Sequence, residues 1–276
     1  MSGFVHLHNH SDFSLLESSQ SIQSILKRIK ELSMDSVALT ETRNLFSMIS
    51  FYKEAHNYGV KPILGCEVSI ENSISSNHKN DPSFFQLLLL AKDNIGYTNL
   101  MKLVSLSYIN SKTHIATIPF SLLSECHEGL IVTSSGLNGE ISHYASIGAY
   151  DKAESSALRY QKVFNDNFYL EIQNHLLDKE LKSHQVLNQI SSTHSIPLVA
   201  TNDTYYTFKE DAIDYEIIRC IGMGLHINNP NKPQPLPPEY YIKSQDEMYN
   251  LFKNYPEALD NTLNIAKQCN VEIPMG

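Results

Sequence analysis

Short apolar runs alternate with helix-period segments along the first two hundred residues, and this alternation predicts βα units around a mostly parallel sheet. Phe4 to His10 reads as the first strand and Val37 to Thr40 as the next, with strands following at Ile63–Ile70, Phe84–Ala91, Leu130–Thr133, Phe168–Ile172 and Leu198–Thr201. Between them, Ile22, Ile25, Leu26, Ile29 and Leu32 recur at helical spacing, so one face of that segment packs on the sheet. Leu45, Met48, Ile49, Tyr52 and Ala55 mark a second helix, which Gly59 ends in a left-handed cap before Pro62. Further helices are read near Tyr97–Tyr108, between about 137 and 165, and over Leu177–Ile190; a polar loop spans about 71 to 83. About seven strands in 276 residues point to a single α/β barrel or strongly curved sheet.

Composition narrows the class. A hydrophobic fraction of 42% supplies a real core and excludes a mainly disordered chain. No apolar run approaches the roughly 20 residues of a membrane span, and the N-terminus carries no secretory signal, so a cytoplasmic protein is expected. Cys66, Cys126, Cys220 and Cys269 are scattered and read as buried free thiols. With 21 basic and 30 acidic side chains the net charge is −9, which argues against direct gripping of nucleic acid. The basic residues Lys27, Arg28 and Lys30 read as a solvated helix face. No phosphate-binding glycine loop or nucleophile elbow occurs, and Ser134-Ser135-Gly136 reads as a strand-to-helix turn.

From about residue 226 a proline-rich stretch opposes both helix and central strand and reads as an extended connector. Two short helices follow, the second starting at Pro256 and burying Leu259, Leu263 and Ala266. The chain is thus divided into a barrel over 1–225 and a closing segment over 226–276. Its last residues form no closing element, so it is read as a piece of a longer protein.

His6, His8 and His10 alternate along the first strand, and a period of two places all three on one face. Neighbouring imidazoles suit a divalent transition metal. In α/β folds working groups gather beyond the carboxyl ends of strands, where His8, His10, Glu41, Glu67 and Asp203 all fall. Two readings stay open: two imidazoles and two carboxylates enclose one metal ion, or the same groups bond to one another as a satisfied polar cluster. The tyrosine pairs 205–206 and 240–241 are read as half-buried edge packing.

Five stretches carry a resemblance. Phe4-Val5-His6-Leu7-His8-Asn9-His10-Ser11, Thr40-Glu41-Thr42-Arg43-Asn44-Leu45, Lys61-Pro62-Ile63-Leu64-Gly65-Cys66-Glu67, Ala200-Thr201-Asn202-Asp203 and Tyr255-Pro256-Glu257-Ala258 resemble, in order, the PHP domain that opens the alpha subunit of bacterial DNA polymerase III. The resemblance implies a distorted (β/α)7 barrel of the PHP type and, in metal-binding members, a site for three ions. It places metal ligands at His8, His10, Glu67 and Asp203, with Glu17 standing where the family has an early aspartate. Thr42, Gln86, Gly136 and Tyr205 occupy positions where the family has histidine, histidine, cysteine and histidine, so two of the three metal positions are expected to be dismantled.

The resemblance thus implies a module with no catalytic residue, no separate cofactor-binding residues, no required cofactor, and room for one divalent ion, zinc, manganese or iron. Its expected partners are the proofreading exonuclease (epsilon) subunit and the remainder of the polymerase alpha subunit, in DNA replication. The alternative is a working metal-dependent phosphoesterase, a pyrophosphatase or residual nuclease, using the surviving histidines and carboxylates.

Overall fold

A computed structural model describes residues 3–72, 82–111 and 114–274. Its strands are β1 (Ser36–Leu39), β2 (Lys61–Glu71), β3 (Phe84–Ala91), β4 (Thr117–Ile118), β5 (Leu130–Thr133), β6 (Phe168–Gln173) and β7 (Leu198–Thr201). Its helices are α1 (Ile22–Glu31), α2 (Met48–Asn57), α3 (Asn94–Ile109), α4 (Phe120–Glu125), α5 (Glu140–Ser146), α6 (Tyr150–Phe164), α7 (Asp178–His194), α8 (Ala212–Gly222), α9 (Gln245–Leu251) and α10 (Pro256–Gln268). Most of the polar loop read at 71–83, and the last two residues of the chain, lie outside the described residues.

The strands pair in the order β1-β2-β3-β5-β6-β7, with β4 added beside β2. The sheet is mostly parallel, as read, and among the described strands β3 alone runs antiparallel to its neighbours, β2 and β5.

Residues 4–10 do not form a regular strand, and this corrects the sequence reading. They are extended and bridge the two ends of the sheet. Ala38 and Thr40 donate to the carbonyls of His6 (2.9 Å) and Asn9 (2.9 Å) on one side. On the other, His10 donates to the Thr204 carbonyl (3.0 Å) and Thr204 to that of His8 (3.2 Å). The sheet thereby curls into a distorted barrel.

Alternation sorts the side chains. Outward residues such as Val37, Leu39, Leu64, Leu89, Val132 and Leu170 pack under the buried stripe Ile22, Ile25, Leu26 and Ile29 of α1 and the other helices. Inward residues Val5, Leu7, Ala38, Ile63, Leu90, Ile131, Tyr169 and Val199 form a second core, which Ile265, Ala266 and Cys269 of α10 and its C-cap plug from below. Two residues further along the same inward face, the parallel strands carry Thr40, Thr133, Glu171 and Thr201, and four residues further, β2 carries Glu67. The barrel is therefore apolar at its base and polar at its mouth.

Gly59 closes the α2 region with φ +62, and Pro256 opens α10, both as read. Leu259 and Ala266 are buried and Leu263 is partly so. All four cysteines are buried and free. No helix among the described residues is long and apolar enough to cross a membrane.

Candidate metal centre

His8 and His10 point into the mouth, but His6 does not share their face. Val5 and Leu7 point into the barrel, so regular alternation directs His6 outward, where its ring meets Phe4 edge-on at 4.8 Å and its Nε2 lies 2.8 Å from the Lys243 carbonyl. The alternation breaks between Leu7 and His8, and both His8 and His10 turn inward. Asn9 secures the break: its Nδ2 donates to the carbonyls of His6 and Ala38, and its Oδ1 accepts from Thr204 Oγ1 at 2.8 Å.

Four of the ligands named from the resemblance come together. His8 Nε2 lies 3.3 Å from Glu67 Oε1 and 3.7 Å from Asp203 Oδ1, and His10 Nε2 lies 3.1 Å from the same Asp203 oxygen. Ligand atoms of His8, His10 and Glu67 all fall within 4.8 Å of one another. Glu17, partly exposed, lines the same cavity as Glu67 and Tyr205 and pairs its carboxylate with Arg43 at 3.1 Å. Glu41 follows β1, two residues past its end, and turns to serines: it accepts from Ser11 and Ser14 and, at 2.9 Å, from Ser47.

Several contributors were invisible to spacing. Glu171 is fully buried, lies 2.8 Å from His8 Nδ1, and accepts from Thr133, Thr201 and Gln173. Ser135, in a left-handed turn with φ 57, donates to Glu67 Oε1 at 2.7 Å. Tyr205 does more than pack at an edge: its ring stacks on His10 at 4.7 Å and 3°, and its hydroxyl donates to Asp203 Oδ2 at 2.9 Å. A Glu inside the apolar run Phe168-Tyr169-Leu170-Glu171-Ile172 was the one signal that could have exposed Glu171.

The charges act on one another. Burial disfavours the imidazolium form of His8, yet the Asp203 and Glu171 carboxylates override it and raise its pKa well above the ordinary value. His10 is raised against burial in the same way, chiefly by Asp203. Asp203, despite burial, is held well below the usual carboxylate range by His8 and His10. Burial and then Asp203 push the Tyr205 hydroxyl well up.

The donor set fits a divalent ion. His8 Nε2, His10 Nε2 and Asp203 Oδ1 are buried without hydrogen-bond partners, with Asp203 Oδ1 3.7 Å from the first nitrogen and 3.1 Å from the second. Ligands at ~2.1 Å from a tetrahedral ion stand about 3.4 Å from one another, so these separations suit a shared cation. Imidazole nitrogen with carboxylate oxygen matches zinc, manganese or iron. A cavity of about 440 Å³ opens over the group, lined among others by Leu15, Leu16, Glu67, Tyr205 and Arg219. A larger recess of about 650 Å³ lies near Lys61 and Cys269, where β2 begins, and touches none of these ligands.

The PHP domain family matches residues 6–175. DNA polymerase III subunit alpha of Campylobacter jejuni is 38% identical over all of this chain, that of Borreliella burgdorferi 39% over 98% of it, and that of Thermus aquaticus 36% over 99%. The chain spans 24%, 24% and 23% of those relatives' lengths. A solved two-domain protein of Bacteroides vulgatus, described as containing a predicted PHP-like metal-dependent phosphoesterase, aligns with 96% of this chain and 69% of its own at TM-score 0.48 and 12% identity. Closed by an irregular histidine-bearing first segment and polar only at its mouth, this chain belongs to the PHP domain family, in company with the alpha subunits of DNA polymerase III.

Proposed function

We propose that this chain is the PHP portion of a replicative DNA polymerase III alpha subunit, cytoplasmic, with a barrel over 1–225 and a closing connector over 226–276. It acts as a structural and docking module for the proofreading exonuclease subunit and for the rest of its own polymerase. Nucleotidyl transfer belongs to the polymerase region beyond it. The observation that carries this reading is Tyr205. Its ring lies flat on His10 and its hydroxyl caps Asp203, so the space beside the quartet is filled by a side chain with no donor suited to a soft or borderline ion.

The other departures support the same reading. Gly136 offers no side chain, Gln86 is engaged by Ser69 at 3.3 Å, and Thr42 Oγ1 sits 3.3 Å from His10 Nδ1, on the side of the ring away from the centre. His8, His10, Glu67 and Asp203 hold one divalent ion, while Glu17 on the same cavity pairs with Arg43. A bound ion supplies Lewis acidity and acidifies a water, but phosphoester cleavage by a cluster also needs a second ion on the phosphoryl oxygens. The net charge of −9 leaves protein partners, rather than DNA, as this module's natural contacts.

Elemental analysis of protein purified without chelator or metal-affinity resin is expected to give about one ion per chain, with no turnover of phosphomonoester or pyrophosphate in manganese or zinc. Turnover that His8→Ala abolishes overturns the reading in favour of a working phosphoesterase. Titration with the cognate exonuclease subunit at low salt is expected to give a stable complex, and absence of binding there removes the docking role.

A further inference from the structure

We propose that Glu171 and the Ser14–Glu41 pair are positioning residues that fix His8 and His10 as Nδ1-protonated tautomers, so that both Nε2 lone pairs face the same cation. This role rests on the one-ion reading of the site.

At His8 the constraint is direct. Its Nδ1 lies 2.8 Å from Glu171 Oε1, and both Glu171 oxygens already accept from donors of Thr133, Thr201, Ser135 and Gln173, an environment that suits the ionised carboxylate. An ionised carboxylate can only accept, so the proton on that line belongs to Nδ1. Glu171 is in turn fixed from every side: Thr133 and Thr201 hydroxyls, the Ser135 amide at 3.2 Å and Gln173 Nε2 at 2.7 Å all donate to it. Its place is set by β5, β6 and β7 together, which makes the ring orientation a property of the barrel.

For His10 the same result comes through a relay. Ser14 Oγ has one proton, and it goes to Glu41 Oε2 at 2.5 Å. Toward its other neighbours the hydroxyl can only accept, from the Thr42 amide at 3.0 Å and from His10 Nδ1 at 3.3 Å. Facing Ser14, His10 Nδ1 can only donate, with Thr42 Oγ1 a second neighbour at 3.3 Å, so Nε2 is the nitrogen that gives up its proton when a cation binds. Glu41 has no basic partner among the described residues; it is held by Ser11, Ser14 and Ser47, a placement that serves to fix Ser14. The two His8 and His10 nitrogens left unpartnered in the buried mouth are the two Nε2 atoms this arrangement leaves free. Carboxylates behind metal-binding imidazoles commonly govern affinity in this way.

Zinc titration by calorimetry into the 276-residue chain, wild type, Glu171→Gln and Ser14→Ala, tests the idea alongside the downfield imidazole N–H resonances of 15N-histidine-labelled, metal-free protein. Glu171→Gln is expected to lose the His8 Nδ1 proton signal and weaken zinc binding 10- to 100-fold, the range seen for such supporting groups. Ser14→Ala leaves Glu41 bonded to Ser11 and Ser47 and keeps the protein foldable if Glu171→Gln does not; it is expected to weaken binding about tenfold and to broaden the His10 signal. Melting temperatures serve as a control, because a merely structural role lowers them without moving zinc affinity. Zinc affinity within twofold of wild type in folded variants overturns the positioning role. A wild-type chain that takes up no zinc while keeping both downfield protons overturns the one-ion reading, and the positioning role with it.

Discussion

Gly136 holds a backbone conformation, φ +49, that other residues adopt at a cost, and a Cβ there would sit 2.0 Å from Gln173 Oε1. Gln173 is the amide that bonds Glu171 at 2.7 Å, so a side chain at 136 disturbs the mouth as well as its own turn. Gly136→Ala is expected to destabilise the fold by about 3 kcal/mol, the sum of positive-φ strain and a disturbed buried hydrogen bond, read as a lower urea midpoint. A loss under about 0.5 kcal/mol would contradict the geometry, that being the size of an ordinary surface change. The same contact bears on any larger residue at 136: a cysteine there meets Gln173 first. The resemblance marked Gly136 as a departure, yet the reason glycine suits the position lies in a residue 37 places away.

At the scale of elements, the irregular segment 4–10 matters most. Its hydrogen bonds reach β1 on one side and the end of β7 on the other, and Asn9 holds the register break that turns His8 inward. Asn9→Ala removes three buried hydrogen bonds at once. A loss of about 3 kcal/mol is expected by chemical denaturation, because the carbonyls of His6 and Ala38 and the Thr204 hydroxyl are left without this partner in the buried mouth. Strands β3, β5 and β7 coincide with their apolar runs in the sequence, since a buried strand carries its own signature. Helix α8 was not legible. Its Ile213, Ile217 and Ile221 repeat at helical spacing but face outward and are exposed, while Tyr215 and Cys220 supply the buried side. The direction of β3 was equally silent, because a period of two is the same read forwards or backwards.

Across the whole molecule, the closing segment sets a pH response. Lys243 is buried beneath the Tyr241 ring, and burial pushes its pKa down to about 8, a cost that Glu239 at 3.2 Å only partly offsets. The unfolded chain, with lysine near 10.5, binds more protons between pH 8 and 10.5, so stability rises with pH across that window. Tyr206 is pushed up to about 12 by burial, and Tyr160 and Tyr240 are raised too. These hydroxyls stay neutral in the fold while those of the unfolded chain ionise near 10, so their contribution to stability falls as pH rises toward and beyond 10. Thermal melts are expected to show a maximum near pH 9, where the lysine gain of at most about 1.4 kcal/mol per pH unit is matched by the combined loss from the tyrosines. In Lys243→Met the rising limb should vanish and the decline remain. By itself, the sequence determined the βα alternation, the apolar base of the barrel and the polar residues at its strand ends, because periodicity and burial are local properties that each segment states alone. Only the tertiary structure decided that His6 leaves the face His8 and His10 share, that Glu171 and Glu41 stand behind the two imidazoles, and that Tyr205 lies on His10. Each of these depends on how the ends of the sheet meet, and ring closure between residues some 195 apart leaves no trace in any single stretch of chain.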